Sequence, residues 1–284
     1  MSLLKLPQNK PITLRLARNL TRNIKRGHPW VFADALRDCP PAPPGTHAIL
    51  LDNKKGAPIA RGFYSGTGPL AFRVCTTQPD QPLSNEWAER RMTRALGLRQ
   101  MLFGSETTGY RLFNGEGDGL PGLVCDVYGD SAVIQLDGTA PTAFWNATAI
   151  GRWVAHQLNL RRVYQKAQSR KVGGSRALVG SVPAAPVPFL ENGVHFTVDL
   201  VHGQKTGFFL DQRDNRQQIG RIAAGLDTLN VFGYTGGFSV MAGLGGAPHV
   251  TTVDLAGPAL RAADHHWQLN HLPAERHQSI KADA

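Results

Sequence analysis

The stretch that most limits what this chain can become is residues 229–254, LNVFGYTGGFSVMAGLGGAPHVTTVD. A short apolar run over 228–232, with Val231 and Phe232, predicts a buried strand. It passes directly into Gly233-Tyr234-Thr235-Gly236-Gly237, after which Phe238, Met241, Ala242 and Leu244 suit a short helix. A second apolar run, 250–253, ends on Asp254. Strand, glycine turn, helix and a strand tipped by a carboxylate make one half of a nucleotide-binding α/β sheet. In such a turn the missing Cβ lets backbone approach a ligand at the carboxyl ends of parallel strands. The acid at the next strand tip then lies in reach of ribose hydroxyls.

The glycine spacing narrows the ligand. A dinucleotide fingerprint reads G-x-G-x-x-G, whereas residues 233–238 read G-Y-T-G-G-F. A pyrophosphate needs the open helix N-terminus that the three-glycine spacing provides. S-adenosylmethionine (SAM) has no phosphate, so a looser turn is sufficient. A glycine turn in an ordinary α/β domain is the alternative.

At 284 residues the chain suits two domains, or a main domain with attached modules, and 42% hydrophobic residues supply ample core material. Cys39, Cys75 and Cys125 are far apart, odd in number and form no CxxC, so neither a disulfide framework nor a zinc site is indicated. The N-terminus MSLLKLPQNK has no apolar signal region, and no stretch approaches a membrane span. The natural compartment is a reducing cytoplasm, with no membrane partner.

Charge is unevenly divided. Residues 1–77 hold twelve Lys and Arg against three Asp, so most of the formal net +10 lies there, much of it in Arg15, Arg18, Arg22, Lys25 and Arg26. Residues 191–284 hold seven basic and nine acidic side chains. A cationic module joined to a near-neutral one points to a polyanionic partner, most simply RNA. A solvated basic face that aids solubility is the alternative.

The first module, 1–78, alternates apolar and polar residues over 12–16 and offers further strands over 48–52, 59–64 and 70–75. Short strands at this spacing predict a small β-barrel. His28, beside Trp30 in HPWVF, reads either as catalytic or as a turn residue packing on the indole. In the middle region, 79–188, residues 86–102 place Trp87, Met92, Ala95, Leu98 and Leu102 on one helical face. Glu116 and Asp118 sit in a glycine-rich turn; they read as a metal pair or, lacking a third ligand, as carboxylates holding their own backbone. Strands over 124–128, 132–136 and 162–165 and an amphipathic helix over 144–158 complete an α+β domain. The Gly/Ala/Pro stretch 173–188 reads as a linker and domain boundary.

HPWVF, YRLFNGEGDGLPGLVCDVYGD, GQKTGFFLDQRDNR and LNVFGYTGGFSV together resemble the ribosomal RNA large subunit methyltransferase I family, in order and over almost the whole chain. The resemblance implies a PUA-like N-terminal barrel that binds RNA, a central α+β domain, and a Rossmann-like domain over 189–284. It further implies SAM as cofactor, 23S ribosomal RNA as substrate class and methylation at cytosine C5. Within GQKTGFFLDQRDNR, Phe208 and Phe209 can cover the cofactor, while Asp211 and Arg213 can meet its amino and carboxylate groups. Surface ion pairs along a helix are the alternative for Asp211, Arg213, Asp214 and Arg216. Phe232, Tyr234, Thr235, Gly236 and Gly237 form the turn, Asp254 would take the ribose, and Asp283, at the end of a third strand expected over 279–283, is placed for the adenine amino group.

Methylation at C5 needs a thiolate to add at C6 and a base to remove the C5 proton. In the family the Asp-Pro-Pro segment and the nucleophilic cysteine lie beyond residue 284. The three cysteines here read as inert packing residues, no catalytic residue is assigned, and the Rossmann-like domain is expected to be incomplete. A three-stranded parallel sheet would then expose an edge, which self-association as a homodimer would cover. Two other readings stay open: a non-catalytic RNA-binding protein with a vestigial SAM-binding half, and a nicotinamide-dependent oxidoreductase, which the glycine spacing disfavours.

Overall fold

The protein is described by a computed structural model covering residues 2–5, 10–37, 39–66, 68–167 and 175–283. The chain divides into two compact units, Met1–Phe103 with Arg111–Pro183, and Gly104–Tyr110 with Ala184–Ala284. No described helix is long and apolar enough to cross a membrane.

The first unit opens with β1 (Ile12–Leu16), α1 (Thr21–Lys25), β2 (Trp30–Phe32), β3 (Leu36–Arg37), β4 (His47–Leu51), β5 (Pro58–Tyr64) and β6 (Leu70–Thr76). They form one six-stranded sheet in the order β2-β6-β5-β4-β1-β3, in which β1 runs parallel to β4 and the other recorded pairings are antiparallel. Alternation drives the burial: Leu14 and Leu16 are buried while Thr13 and Arg15 face solvent. These leucines join Ile24, Val31, Leu50 and Phe72 in one core.

Next come α2 (Asn85–Leu102), β7 (Gly109–Asn114), β8 (Leu123–Tyr128), β9 (Ser131–Leu136), α3 (Thr139–Phe144), α4 (Ala147–Leu158), β10 (Arg162–Gln165) and β11 (Arg176–Val179). The strands make a five-stranded sheet in the order β11-β10-β9-β8-β7. Ser84 caps α2 by accepting from the Trp87 N–H. The apolar face expected on this helix is buried at Trp87, Met92 and Ala95 but reaches solvent at Leu98 and Leu102; Ala88 and Leu96 fill the core instead. The helix expected over 144–158 breaks at Trp145-Asn146. Asn146 caps α4 by accepting from Ala149 N, and the buried Trp145 indole donates to Pro121 O at 2.9 Å. The linker expected over 173–188 is corrected as well: β11 lies within it and pairs antiparallel with β10, while residues 173 and 174 lie outside the described ones. The barrel and central sheet also share contacts: Arg73 on β6 pairs with Glu116 and Asp137, so regions 1–78 and 79–188 pack within one unit.

The second unit begins with the antiparallel hairpin β12 (Val187–Glu191) and β13 (Val194–Val198). Then follow α5 (Arg213–Ile222), β14 (Thr228–Val231), α6 (Gly237–Leu244), β15 (Val250–Asp254), α7 (Gly257–Leu269) and β16 (His277–Lys281). β14, β15 and β16 form a parallel three-stranded sheet in that order, which fits the Rossmann-like expectation. β16 is shifted by two residues from the strand expected over 279–283, so Asp283 lies beyond it and is exposed. β14 is an edge of this sheet, and Leu229, Val231 and the following Phe232 are exposed at 65%, 38% and 72%. On α6 the inward apolar positions include Val240 and Ala242, whereas Leu244 faces solvent.

Candidate functional site

β14 stops at Val231 because the next residues leave extended geometry. Phe232, Tyr234 and Gly236 all take positive φ, at 56°, 47° and 72°. The turn is held from several sides. Gly233 N–H donates to Val253 O, and Tyr234 N–H donates to Asp254 Oδ2, each at 2.9 Å. The second carboxylate oxygen of Asp254 accepts from Ala256 N at 2.8 Å, so the strand tip clamps both turns. The Tyr234 hydroxyl accepts from Gln204 N at 3.0 Å and donates to Gly207 O at 3.3 Å.

The glycines also make room within the protein itself. A Cβ on Gly236 would stand 2.5 Å from Ala263 Cβ of α7, and one on Gly237 would stand 3.0 Å from Arg216 Cδ. Their missing side chains admit the protein's own helices and side chains to the turn.

His266 was not singled out by sequence. It is wholly buried on α7, with Nδ1 2.8 Å from Thr235 O and Nε2 3.0 Å from both Thr197 N and Thr197 O. Burial holds its pKa below the usual value, which keeps the ring neutral and this arrangement intact. The signal available in sequence was its inward register with Ala263 and Trp267 on α7.

Beside the turn lies a hollow of about 90 Å³ walled by Phe208, Phe209, Gln212, Arg216, Phe232 and Tyr234, with Gly233, Thr235, Gly237 and Phe238 completing it. Of the sequence candidates, it brings together Phe208, Phe232, Tyr234, Thr235 and Gly237. Asp211, Arg213, Gly236, Asp254 and Asp283 do not line it. Asp211 is exposed in the 3-10 turn Leu210–Gln212, and Arg213 Nε reaches Asp214 at 3.2 Å. The arginine that lines the hollow is Arg216, which forms no pair along its own helix. Its Nε donates to Glu191 Oε1 at 2.7 Å and its Nη2 to the other oxygen, while Nη1 donates to Phe209 O at 3.0 Å. Both side chains of this pair are almost wholly buried. The guanidinium also lies 4.6 Å from the Phe208 ring centroid. Arg216 therefore fixes the two phenylalanines, and its charge is neutralised from within. Lys205 Nζ stands 4.7 Å from the Phe209 centroid.

In the first unit the five candidate cations are all exposed. Arg15 donates to Lys54 O and Arg18 pairs with Asp34, each at 3.0 Å. Arg22 and Lys25 lie on α1, with Arg26 at its end. His28 Nδ1 is 3.0 Å from Trp30 O, a turn contact beside the indole. Glu116 does not hold its own turn: Oε1 accepts from Trp30 Nε1 at 3.0 Å and from Arg73 Nη1 at 2.5 Å. Asp118 does hold its turn, accepting from Asn114 N, and also takes both guanidinium arms of Arg99 at 2.8 Å. Among the described residues no group of three or more potential metal ligands occurs. Burial pushes the Cys75 and Cys125 thiols up, whereas Cys39 is exposed, unlike the packing residue expected.

Residues 135–278 match the family model of S-adenosylmethionine-dependent methyltransferases, and residues 14–77 match a PUA-like domain. The first match starts within β9, upstream of the second unit. A ribosomal RNA large subunit methyltransferase of Deinococcus radiodurans is 34% identical, the alignment covering 96% of this chain and 69% of the relative. A ribosomal RNA large subunit methyltransferase I of Shewanella amazonensis is 33% identical, covering 96% and 70%. Among solved structures, a chain from Streptococcus mutans described as a SAM-dependent methyltransferase superposes with a TM-score of 0.81 at 27% identity, covering 96% of this chain and 71% of that one. Another, described as a methyltransferase complexed with SAH, also gives 0.81, at 26% identity, covering 96% and 70%.

Proposed function

Because the chain belongs to the ribosomal RNA large subunit methyltransferase I family, we propose that it acts with SAM to methylate C5 of a cytosine in large-subunit ribosomal RNA. The observation that carries the cofactor reading is the hollow at the glycine turn. Its walls are aromatic, and its one buried cation, Arg216, is already matched by Glu191. Such a lining attracts a sulfonium through its ring faces, and the buried cation in its wall is already neutralised. This favours SAM over a nicotinamide dinucleotide.

Bound SAM supplies an electrophilic methyl group. The hollow is too small for the whole molecule, so Phe208, Phe232, Tyr234, Thr235 and Gly237 hold one part, with Gly236 shaping the turn. Asp254 has lone pairs beyond the two that accept N–H groups, and these take the ribose hydroxyls. Asp283, past the end of β16, takes the adenine amino group. Asp211 and Arg213, in the short helix and first turn that flank Gln212, are the candidates for the methionine end. The high thiol pKa of Cys75 and Cys125 does not suit either to nucleophilic attack on the base. Arg15, Arg18, Arg22, Lys25 and Arg26 meet RNA phosphates.

Isothermal titration with SAM, SAH and NAD tests the cofactor reading, with transfer of labelled methyl to ribosomal RNA as the second measurement. SAM and SAH should bind and NAD should not. Asp254→Asn, which keeps one acceptor oxygen for Tyr234 N–H but loses the charge, should weaken SAM by about tenfold or more, the effect of a charge-assisted bond worth roughly 1.5–3 kcal/mol. Equal affinity for SAM in the variant, or tighter binding of NAD than of SAM, would refute the assignment.

A further inference from the structure

A second hollow, of about 150 Å³, opens in the first unit beside α1 and β2. Its walls include Arg18, Asn23, Ile24, His28, Trp30 and Phe32. Trp30 and Phe32 are alternate residues of β2 and share its solvent face, exposed at 40% and 43%, while Val31 between them is buried. Residues two apart on a strand stand about 6.7 Å from one another along it. That spacing admits one planar ring between two others. The volume is well below the roughly 300–1,000 Å³ of sites for drug-sized ligands, but it is room for a single flat group.

The surroundings say what flat group this is. Arg22, Lys25 and Arg26 are exposed on and after α1, without an acidic partner among the described residues. Arg18, Asn23 and His28 bring hydrogen-bonding side chains to the wall. Trp30 is pre-oriented, since its indole N–H is spent on Glu116, whose charge Arg73 offsets. Glu116 also lines a larger hollow of about 840 Å³ beside α2, where Arg91 and Arg94 face the 3-10 turn Gly115–Asp118.

We propose that the small hollow takes the base of one unpaired ribonucleotide, stacked on Trp30 and Phe32, and that the strand continues past Glu116 so that Arg91 and Arg94 meet its phosphates. Aromatic platforms beside a cationic track are the chemistry that holds single-stranded nucleic acid. A paired base cannot enter, so the site selects unpaired over duplex RNA. The inference rests on RNA as the substrate class and adds a subsite to it.

The test is fluorescence anisotropy of the full chain with a labelled unpaired oligoribonucleotide and with a fully paired hairpin, for the wild type, Trp30→Ala, Trp30→Phe and Phe32→Ala. Thermal melts and SAM titration check folding; Phe32 makes no bond to Glu116, so its variant guards against a structural effect at Trp30. Each alanine variant should bind the unpaired strand about 5- to 150-fold more weakly, the worth of one base–aromatic stack. The paired hairpin should change by less than about twofold, and Trp30→Phe should recover most of the loss. Alanine variants that bind the unpaired strand within about twofold of wild type, or that lose both RNAs alike, overturn the subsite. If Arg22→Gln with Lys25→Gln weakens binding while the aromatic changes do not, the subsite falls and RNA contact by charge stands. If the wild-type chain binds neither RNA at low salt, both fall together.

Discussion

Glu191→Gln isolates the pair that links the second unit's stability to its site. The substitution keeps shape and one acceptor oxygen but leaves the Arg216 guanidinium without a counter-charge, in a place where both side chains are at most 3% exposed. Breaking a buried pair from one side costs about 3–5 kcal/mol, because the surviving ion is still desolvated. Against a typical domain stability of about 5–15 kcal/mol, this removes a large share of what holds the unit folded. Urea unfolding followed by hydrogen exchange on the amides of β12 and α5 reads the loss where it occurs. SAM affinity should fall in parallel, since Arg216 also holds Phe209 O and packs on Phe208. The double change Glu191→Leu with Arg216→Met removes both charges and should recover most of the stability. It should not recover the affinity, because Phe209 stays untethered. A loss below about 1 kcal/mol for Glu191→Gln, or recovery of affinity in the double variant, would show that the pair neither supports this unit nor positions its phenylalanines.

Two further outcomes follow from the second unit. His266 and His277 are both held below their ordinary pKa by burial, with Asp264 acting in the opposite sense on His277. The unfolded chain therefore takes up protons first, so their contribution is complete above the ordinary value of 6.5 and declines as pH falls through it toward the folded pKa values; urea midpoints that rise on acidification in this window would contradict it. Gly236→Ala places a Cβ against Ala263 at a positive φ, which should destabilise the turn by about 1–3 kcal/mol and lower SAM affinity, read by thermal shift and titration. An alanine variant as stable as wild type would refute that packing role.

Local patterns made much of this fold legible. β1, β10 and β15 have the bounds their apolar residues predict, because most of those side chains are buried. β11 was hidden because its Arg-Ala-Leu-Val lies in a Gly/Ala/Pro stretch, and only the β10 ladder makes it a strand. The break before α4 depends on one Asn cap within an otherwise helical run. At the site, the glycine turn and its carboxylate could be read from spacing. The partner of Arg216 could not, since Glu191 is 25 residues away and is brought near by folding. The same holds for His266, whose partners lie on the turn and on β13. Glu116 likewise looked like a local turn residue, while its actual bonds run to Trp30 and Arg73.

Phe232 and Tyr234 occupy left-handed backbone, which a glycine would enter freely and which costs a side-chain-bearing residue about 1–2 kcal/mol. Natural variation towards glycine at these positions would relax the bend and discard the rings in one stroke. Under the proposed cofactor role, robustness and ligand capture pull in opposite directions at this bend, and a chain selected only to resist heat would be expected to drift away from its aromatics there.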